Sequence, residues 1–139
     1  MTTENLESIL GAKTISFNAT FAKMTGSVTA AVFLSQALFW QVKAKFKGSE
    51  IEFEGEPYFS KTAAEWYEET GLSTEQQKTA RKPLVVSGIL KERRAGIPAK
   101  MYFRIDIEAL VSGVSGYLNT GVTVSGFSGN RKTENPVTI

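Results

Sequence analysis

The stretch YFSKTAAEWYEETGLSTEQQKTARKPLVVSGILKERRAGIPAKMYFRI, Tyr58–Ile105, decides how this chain folds. It opens on a short extended run, Tyr58-Phe59-Ser60. A first helix is predicted from Thr62 to about Glu69, because Thr62 is a good cap and Glu65 completes a capping box. Gly71-Leu72-Ser73 forms a tight turn. Ser73 then caps a second helix, Thr74 to about Val86, with Gln76 in the matching box position. Gly88 closes that helix. Two extended segments, Ile89–Arg94 and Met101–Ile105, flank a turn at Gly96-Ile97-Pro98. Helix, short turn, helix, hairpin is the order of a winged helix-turn-helix. In that plan the second helix can lie in a DNA major groove, and the hairpin reaches the flanking backbone.

Spacing assigns the faces of the two helices. Ala63, Trp66, Tyr67 and Thr70 are expected to bury one side of the first, with Trp66 in the core. In the second, Leu72, Ala80 and Leu84 face inward, and small Ala80 suits a close helix crossing. The opposite face then presents Thr74, Glu75, Gln77, Lys78, Arg81 and Lys82. Gln, Arg and Lys can read base edges or hold phosphates. Ser73 and Thr74 stand at the helix N-terminus, where free N–H groups favour an anion. Pro83 is at odds with its surroundings: inside a helix it removes a hydrogen bond and clashes with the preceding turn, at about 3 kcal/mol. A kink or an interruption over Thr79–Lys82 is therefore expected.

Charge points the same way. From Lys78 to Arg104 there are eight basic residues (Lys78, Arg81, Lys82, Lys91, Arg93, Arg94, Lys100, Arg104) and one acid, Glu92, a balance of +7. The whole chain has 16 basic and 14 acidic residues, so the remainder is −5. A basic segment inside an acidic chain is the footprint of a nucleic-acid face; a solvated helix and a lysine-guarded hairpin edge would give the same composition. The expected contacts are Ser73, Thr74, Gln77, Lys78, Arg81 and Lys82 on the helix. On the hairpin they are Lys91, Arg93, Arg94 and Lys100.

Outward from this stretch, Asn18 caps a short helix through about Thr25, ended by Gly26. Ser27 caps the longest helix, Val28 to about Lys47. That helix is apolar on nearly all sides, so it is read as the central core helix, and a homodimer is one way to cover its remaining face. Lys43, Lys45 and Lys47 offset the negative end of its dipole. Glu50, Glu52, Glu54 and Glu56 alternate with Ile51, Phe53 and Gly55, the pattern of an exposed strand or hairpin arm. Carboxylates strung along a strand spread rather than converge, which disfavours a metal site and suits an edge kept soluble. Asp106 is expected to cap a short helix, Ile107 to Val111. Residues 1–16 read as an N-terminal arm, 17–111 as the winged-helix domain and 112–139 as a flexible Gly/Ser/Thr-rich tail in which Arg131 and Lys132 could add phosphate contacts. The fold class is thus α+β, mainly α.

Composition narrows the chemistry. The chain has no cysteine and no histidine, so disulfides, thiol nucleophiles and the commonest general base and metal ligand are all missing. No phosphate-cradling glycine loop and no converging acid pair appears either, and neither an enzyme nor a cofactor is expected. The apolar run Val28–Val42 is too short to span a bilayer, which takes about 20 residues. A cytoplasmic protein without a membrane partner is expected.

Four segments carry a resemblance: TGSVTAAVFLSQALFWQ (Thr25–Gln41), KTAAEWYEETGLSTEQQKTARKPL (Lys61–Leu84), SGILKERRAGIPAKMYFRID (Ser87–Asp106) and, weakly, NRKTENP (Asn130–Pro136). Together they resemble the N-terminal winged-helix domain of phage and plasmid replication-initiation proteins, the replisome-organiser type. The resemblance implies sequence-specific binding of double-stranded DNA, usually near a replication origin, and often self-association. Pro83 departs from the family pattern, where an ordinary helix former stands. The chain also stops soon after the wing, where such initiators continue into a helicase-loading or partner-binding region. Three readings follow. One is a replication organiser, and another is a transcriptional regulator on the same fold. The third is a winged helix that binds a host protein, such as a small phage-encoded inhibitor of a nucleic-acid enzyme.

Overall fold

The structure, a computed structural model, describes residues 18–47 and 50–124. The expected arm over 1–16, Arg131 and Lys132 of the tail, and the side chains of Lys45 and Lys47 lie outside them. The elements run α1 (Ala19–Thr25), α2 (Val28–Lys47), β1 (Ile51–Phe53), β2 (Glu56–Ser60), α3 (Ala63–Thr70), α4 (Thr74–Val86), β3 (Leu90–Ala95), β4 (Lys100–Ile105) and α5 (Ile107–Thr120). The described residues form an α+β fold, mainly helical, with one antiparallel sheet in the order β1-β2-β4-β3.

Local chemistry accounts for the boundaries. Asn18, Thr62, Ser73 and Asp106 each accept a hydrogen bond from a first-turn N–H of the helix they precede, and Thr62 and Ser73 complete reciprocal boxes with Glu65 and Gln76. Gly88 ends α4 at φ 81°: its N–H reaches the Val85 carbonyl while the Ile89 N–H reaches Leu84, the paired bonds of a Schellman motif. Pro83 does not interrupt α4, which runs unbroken to Val86. It stands one turn from the C-terminus, and the helix closes over it through the Ser87 N–H on the Pro83 carbonyl at 3.1 Å.

The core forms where α2 crosses the inner face of the sheet and α4. Phe33, Leu34, Ala37, Phe59, Trp66, Ala80, Leu84, Leu90, Phe103 and Ile105 are all buried in it. Phe33 stacks on Trp66 at 4.0 Å between ring centroids, and Trp66 meets Phe103 edge-on at 5.5 Å. The expected inner face of α3 is narrower than its spacing implied. Trp66 alone is buried, whereas Ala63 and Tyr67 are exposed, because α3 touches the core over a single turn. On α2, Val28, Phe39 and Val42 stay exposed.

Residues 50–57 form the expected hairpin arm, with the outer strand β1 largely exposed. β1 and β2 form a hairpin whose turn residues, Glu54 and Gly55, both have positive φ (55° and 81°), the requirement of a two-residue type I′ turn. β2 then pairs with β4, Phe59 opposite Phe103. The pairing stops there, short of Ile105 at the end of β4. The Gln41 amide from α2 meets Ile105 instead, accepting from its N–H (2.6 Å) and donating to its carbonyl (3.1 Å).

The largest departure is α5. Expected to stop at Val111, it runs to Thr120 and is closed by Gly121 at φ 77°. Gly113 serves close packing, not flexibility: a Cβ there would lie 2.8 Å from the Val124 side chain and 3.5 Å from Met24 Sδ. Val124 returns to the body of the fold, its N–H donating to the Met24 carbonyl at 3.0 Å.

Candidate nucleic-acid interface

The ten residues expected to form the site divide into groups. At the start of α4, Ser73 and Thr74 are exposed, and the Ser73 hydroxyl accepts from the Gln76 N–H. Lys78 and Lys82, one helical turn apart, project into solvent. Lys78 makes only a loose pair with Glu75 at 3.8 Å, and Lys82 has no ion-pair partner among the described residues. Arg81 lies beside them but turns towards β3, where its Nε meets a Glu92 carboxylate oxygen at 2.7 Å. Only a quarter of either side chain remains exposed.

Gln77 is not on the outer face. It is 1% exposed, and its amide nitrogen donates to the carbonyls of Leu72 (2.9 Å) and Ala63 (3.1 Å). The turn leaves the Leu72 carbonyl without a helical partner, and a buried acceptor left unpaired is costly, so the amide is drawn inward to meet it. Gln77 therefore ties α4 to the turn and to the start of α3.

Register sorts the hairpin residues by face, since directly paired residues share one. Leu90 is opposite Ile105 and Glu92 opposite Phe103, so Leu90, Glu92 and Arg94 look towards the helices. Lys91 is opposite Arg104, Arg93 opposite Tyr102 and Ala95 opposite Lys100, and these look outward. Lys91 and Arg93, expected as contacts on the hairpin, therefore do not share a face with the basic side of α4. Period two puts them on the other side of the sheet, and each is matched there by an acid. Lys91 pairs with Asp106 at 3.6 Å, and Arg93 with Glu54 at 3.4 Å. Arg104 pairs with Glu56 at 3.6 Å. Arg93 also lies over the Phe53 ring, 4.8 Å from its centroid, and Phe53 packs edge-on against Tyr58 and Tyr102. Glu54 and Glu56 thus match two of the outer-face cations and Asp106 a third, while Lys100 near the tip has no ion-pair partner among the described residues.

Between Lys78 and Arg104, basic residues without a close partner are consequently few. Lys78 and Lys82 form a stripe on α4. The Arg81–Glu92 bridge joins that stripe to the inner face of β3, and Arg94 lies two residues further towards the tip on the same face. Arg94 and Lys100 have no ion-pair partner among the described residues. No group of three or more metal-ligating side chains gathers among the described residues, and no helix there is long and apolar enough to cross a membrane.

A buried polar cluster behind α3 holds the helix pair in place, and sequence spacing gave no sign of it. The Glu69 carboxylate accepts from Lys61 Nζ (2.7 Å), Gln36 Nε2 (2.8 Å) and Trp40 Nε1 (2.6 Å), and Lys61 sits 3.8 Å from the centroid of the Trp40 ring. Burial pushes the Glu69 carboxyl up, but the hydrogen bonds from Lys61, Gln36 and Trp40 and the lysine's charge outweigh it and hold the group below the ordinary carboxylate value. At α5, the Ala109 N–H holds the Asp106 carboxyl low, opposed by slight burial and helped by Lys91.

No protein-family model, curated protein or solved structure matches the chain.

Proposed function

We propose that this chain is a winged-helix protein that binds double-stranded DNA, with α4 as the reading helix and β3–β4 as the wing. Support comes chiefly from the sorting of charge. On the outer sheet face Lys91, Arg93 and Arg104 are matched by acids, while Lys82, Arg94 and, at the tip, Lys100 have no ion-pair partner among the described residues and Lys78 is only loosely paired, a series that runs from the helix to the hairpin tip. Exposed lysines beside a capped helix start supply phosphate contacts, and Ser73 and Thr74 add hydroxyls there. Arg81 sets the angle between helix and wing through Glu92 and is not a primary contact. Relationship to replication initiators, and self-association through Phe39 and Val42 of α2, are parts of the same proposal.

The test is fluorescence anisotropy with labelled duplexes. Lys78→Glu/Lys82→Glu and Arg94→Glu/Lys100→Glu should each lower duplex affinity by at least tenfold, with unfolding midpoints unchanged. A matched reversal on the outer face, Lys91→Glu/Arg93→Glu, should cost clearly less affinity. Equal loss from both faces would point to non-specific charge attraction. Unchanged affinity in all three would favour the protein-binding reading, which retention of a host protein in nuclease-treated extract would then support.

A further inference from the structure

The hairpin tip carries a fully exposed apolar side chain that the fold does not use. Strands β3 and β4 close through residues 96–99, and Ile97, next to Pro98, is fully exposed. Nothing packs on it, so the isoleucine contributes nothing to the core. On either side of it stand the two basic residues without partners, and they occupy opposite faces of the ribbon: Arg94 the inner face, Lys100 the outer. The outermost residue that braces the hairpin is Met101, paired with Arg94 and packed against the core; the contacts of Arg93 with Glu54 and Phe53 lie one step further in. From the Arg94–Met101 pair to Gly96 is two strand steps, so the tip stands about 7 Å clear of its support.

These dimensions select a groove. A minor groove is roughly 6 Å wide and 7.5 Å deep. Two strands about 4.8 Å apart, with their side chains, are too broad to enter it. A single tip residue is not, and cations on both faces of the ribbon would meet the phosphate walls on both sides. We infer that Ile97, backed by Pro98, is a wedge that enters the minor groove of double-stranded DNA between two base pairs and bends the duplex, with Arg94 and Lys100 gripping the flanking phosphates. This inference rests on the duplex-binding reading above. Apolar wedges partly unstack the step they enter, and pyrimidine–purine steps unstack most readily. The wing thereby selects deformable steps such as TA without hydrogen-bonding a base.

Two measurements on the same full-length protein separate this inference from its premise. Anisotropy reports affinity for duplexes of about 20 base pairs carrying a central TA or a central GG step; energy transfer between dyes at the two ends reports bending. Wild type should bring the ends of the TA duplex closer and bind it about tenfold tighter than the GG duplex. Ile97→Ser, at an exposed turn position, should still bind with its unfolding midpoint unchanged, but lose both the shortening and the TA preference. If wild type binds without shortening the duplex, or Ile97→Ser bends it equally, the wedge is wrong and DNA binding stands. If wild type binds neither duplex, both fall. Ile97-dependent binding to vesicles of anionic phospholipid, without duplex affinity, would overturn both and assign the tip to membrane surfaces.

Discussion

Gln77 illustrates how residue type and helical period can disagree. Positions 77, 80 and 84 recur at the spacing of one helix face, and Ala80 and Leu84 are core. The amide's polarity argued for the outside, yet two carbonyls within reach make the inside its better environment. Removing it should therefore act on stability and not on recognition. Gln77→Ala is expected to lower unfolding free energy by about 1–3 kcal/mol, the cost of leaving buried acceptors unmet. Urea denaturation checks this, and duplex affinity of the folded fraction should stay within about twofold. Gly113 misleads in a different way. A glycine among serines read as slack chain, whereas here it is the small residue that lets α5 approach Val124 and Met24. Leu110, Val114 and Tyr117 already carried the helical period that the glycines obscured.

Elements with local signatures were legible and those made by distant pairing were not. Caps at Asn18, Thr62, Ser73 and Asp106 and the stops at Gly26, Gly71 and Gly88 are chemistry within a few residues of each boundary, so the starts of α1, α3, α4 and α5, and the ends of α1, α3 and α4, could be read directly. Pairing of β2 with β4 depends on residues more than forty apart in sequence, and the strand-end role of Gln41 depends on Ile105 across the fold. The Glu69 cluster is non-local too, joining α2, the end of β2 and α3. Glu69→Gln leaves Lys61 buried beside a neutral group, and breaking such a pair should cost about 3 kcal/mol at neutral pH. The native carboxyl ionises below its ordinary value, so its stabilisation is complete above that value and disappears as pH falls through the lower folded-state value. Unfolding free energies of wild type and Glu69→Gln should accordingly differ at pH 7 and converge in acid. A gap that persists undiminished at low pH would mean that packing, not charge, holds the cluster.

At the scale of the whole molecule, net charge conceals the organisation. A count along the chain showed a +7 segment, but it could not show which charges are matched, because the acids that match them come from the first hairpin and the start of α5. Once those pairs and the Arg81–Glu92 bridge are set aside, Lys78, Lys82, Arg94 and Lys100 remain between helix and tip, and DNA binding by this path requires that they act together. Salt dependence counts such contacts, since each phosphate neutralised releases condensed counterions. The decisive measurement is duplex affinity of the wild-type protein from low to physiological salt. About four contacts predict a slope of log affinity on log salt near −3.6, falling to about half in Arg94→Glu/Lys100→Glu. A slope near zero, or one that the substitutions leave unchanged, would contradict the assignment of this path to DNA.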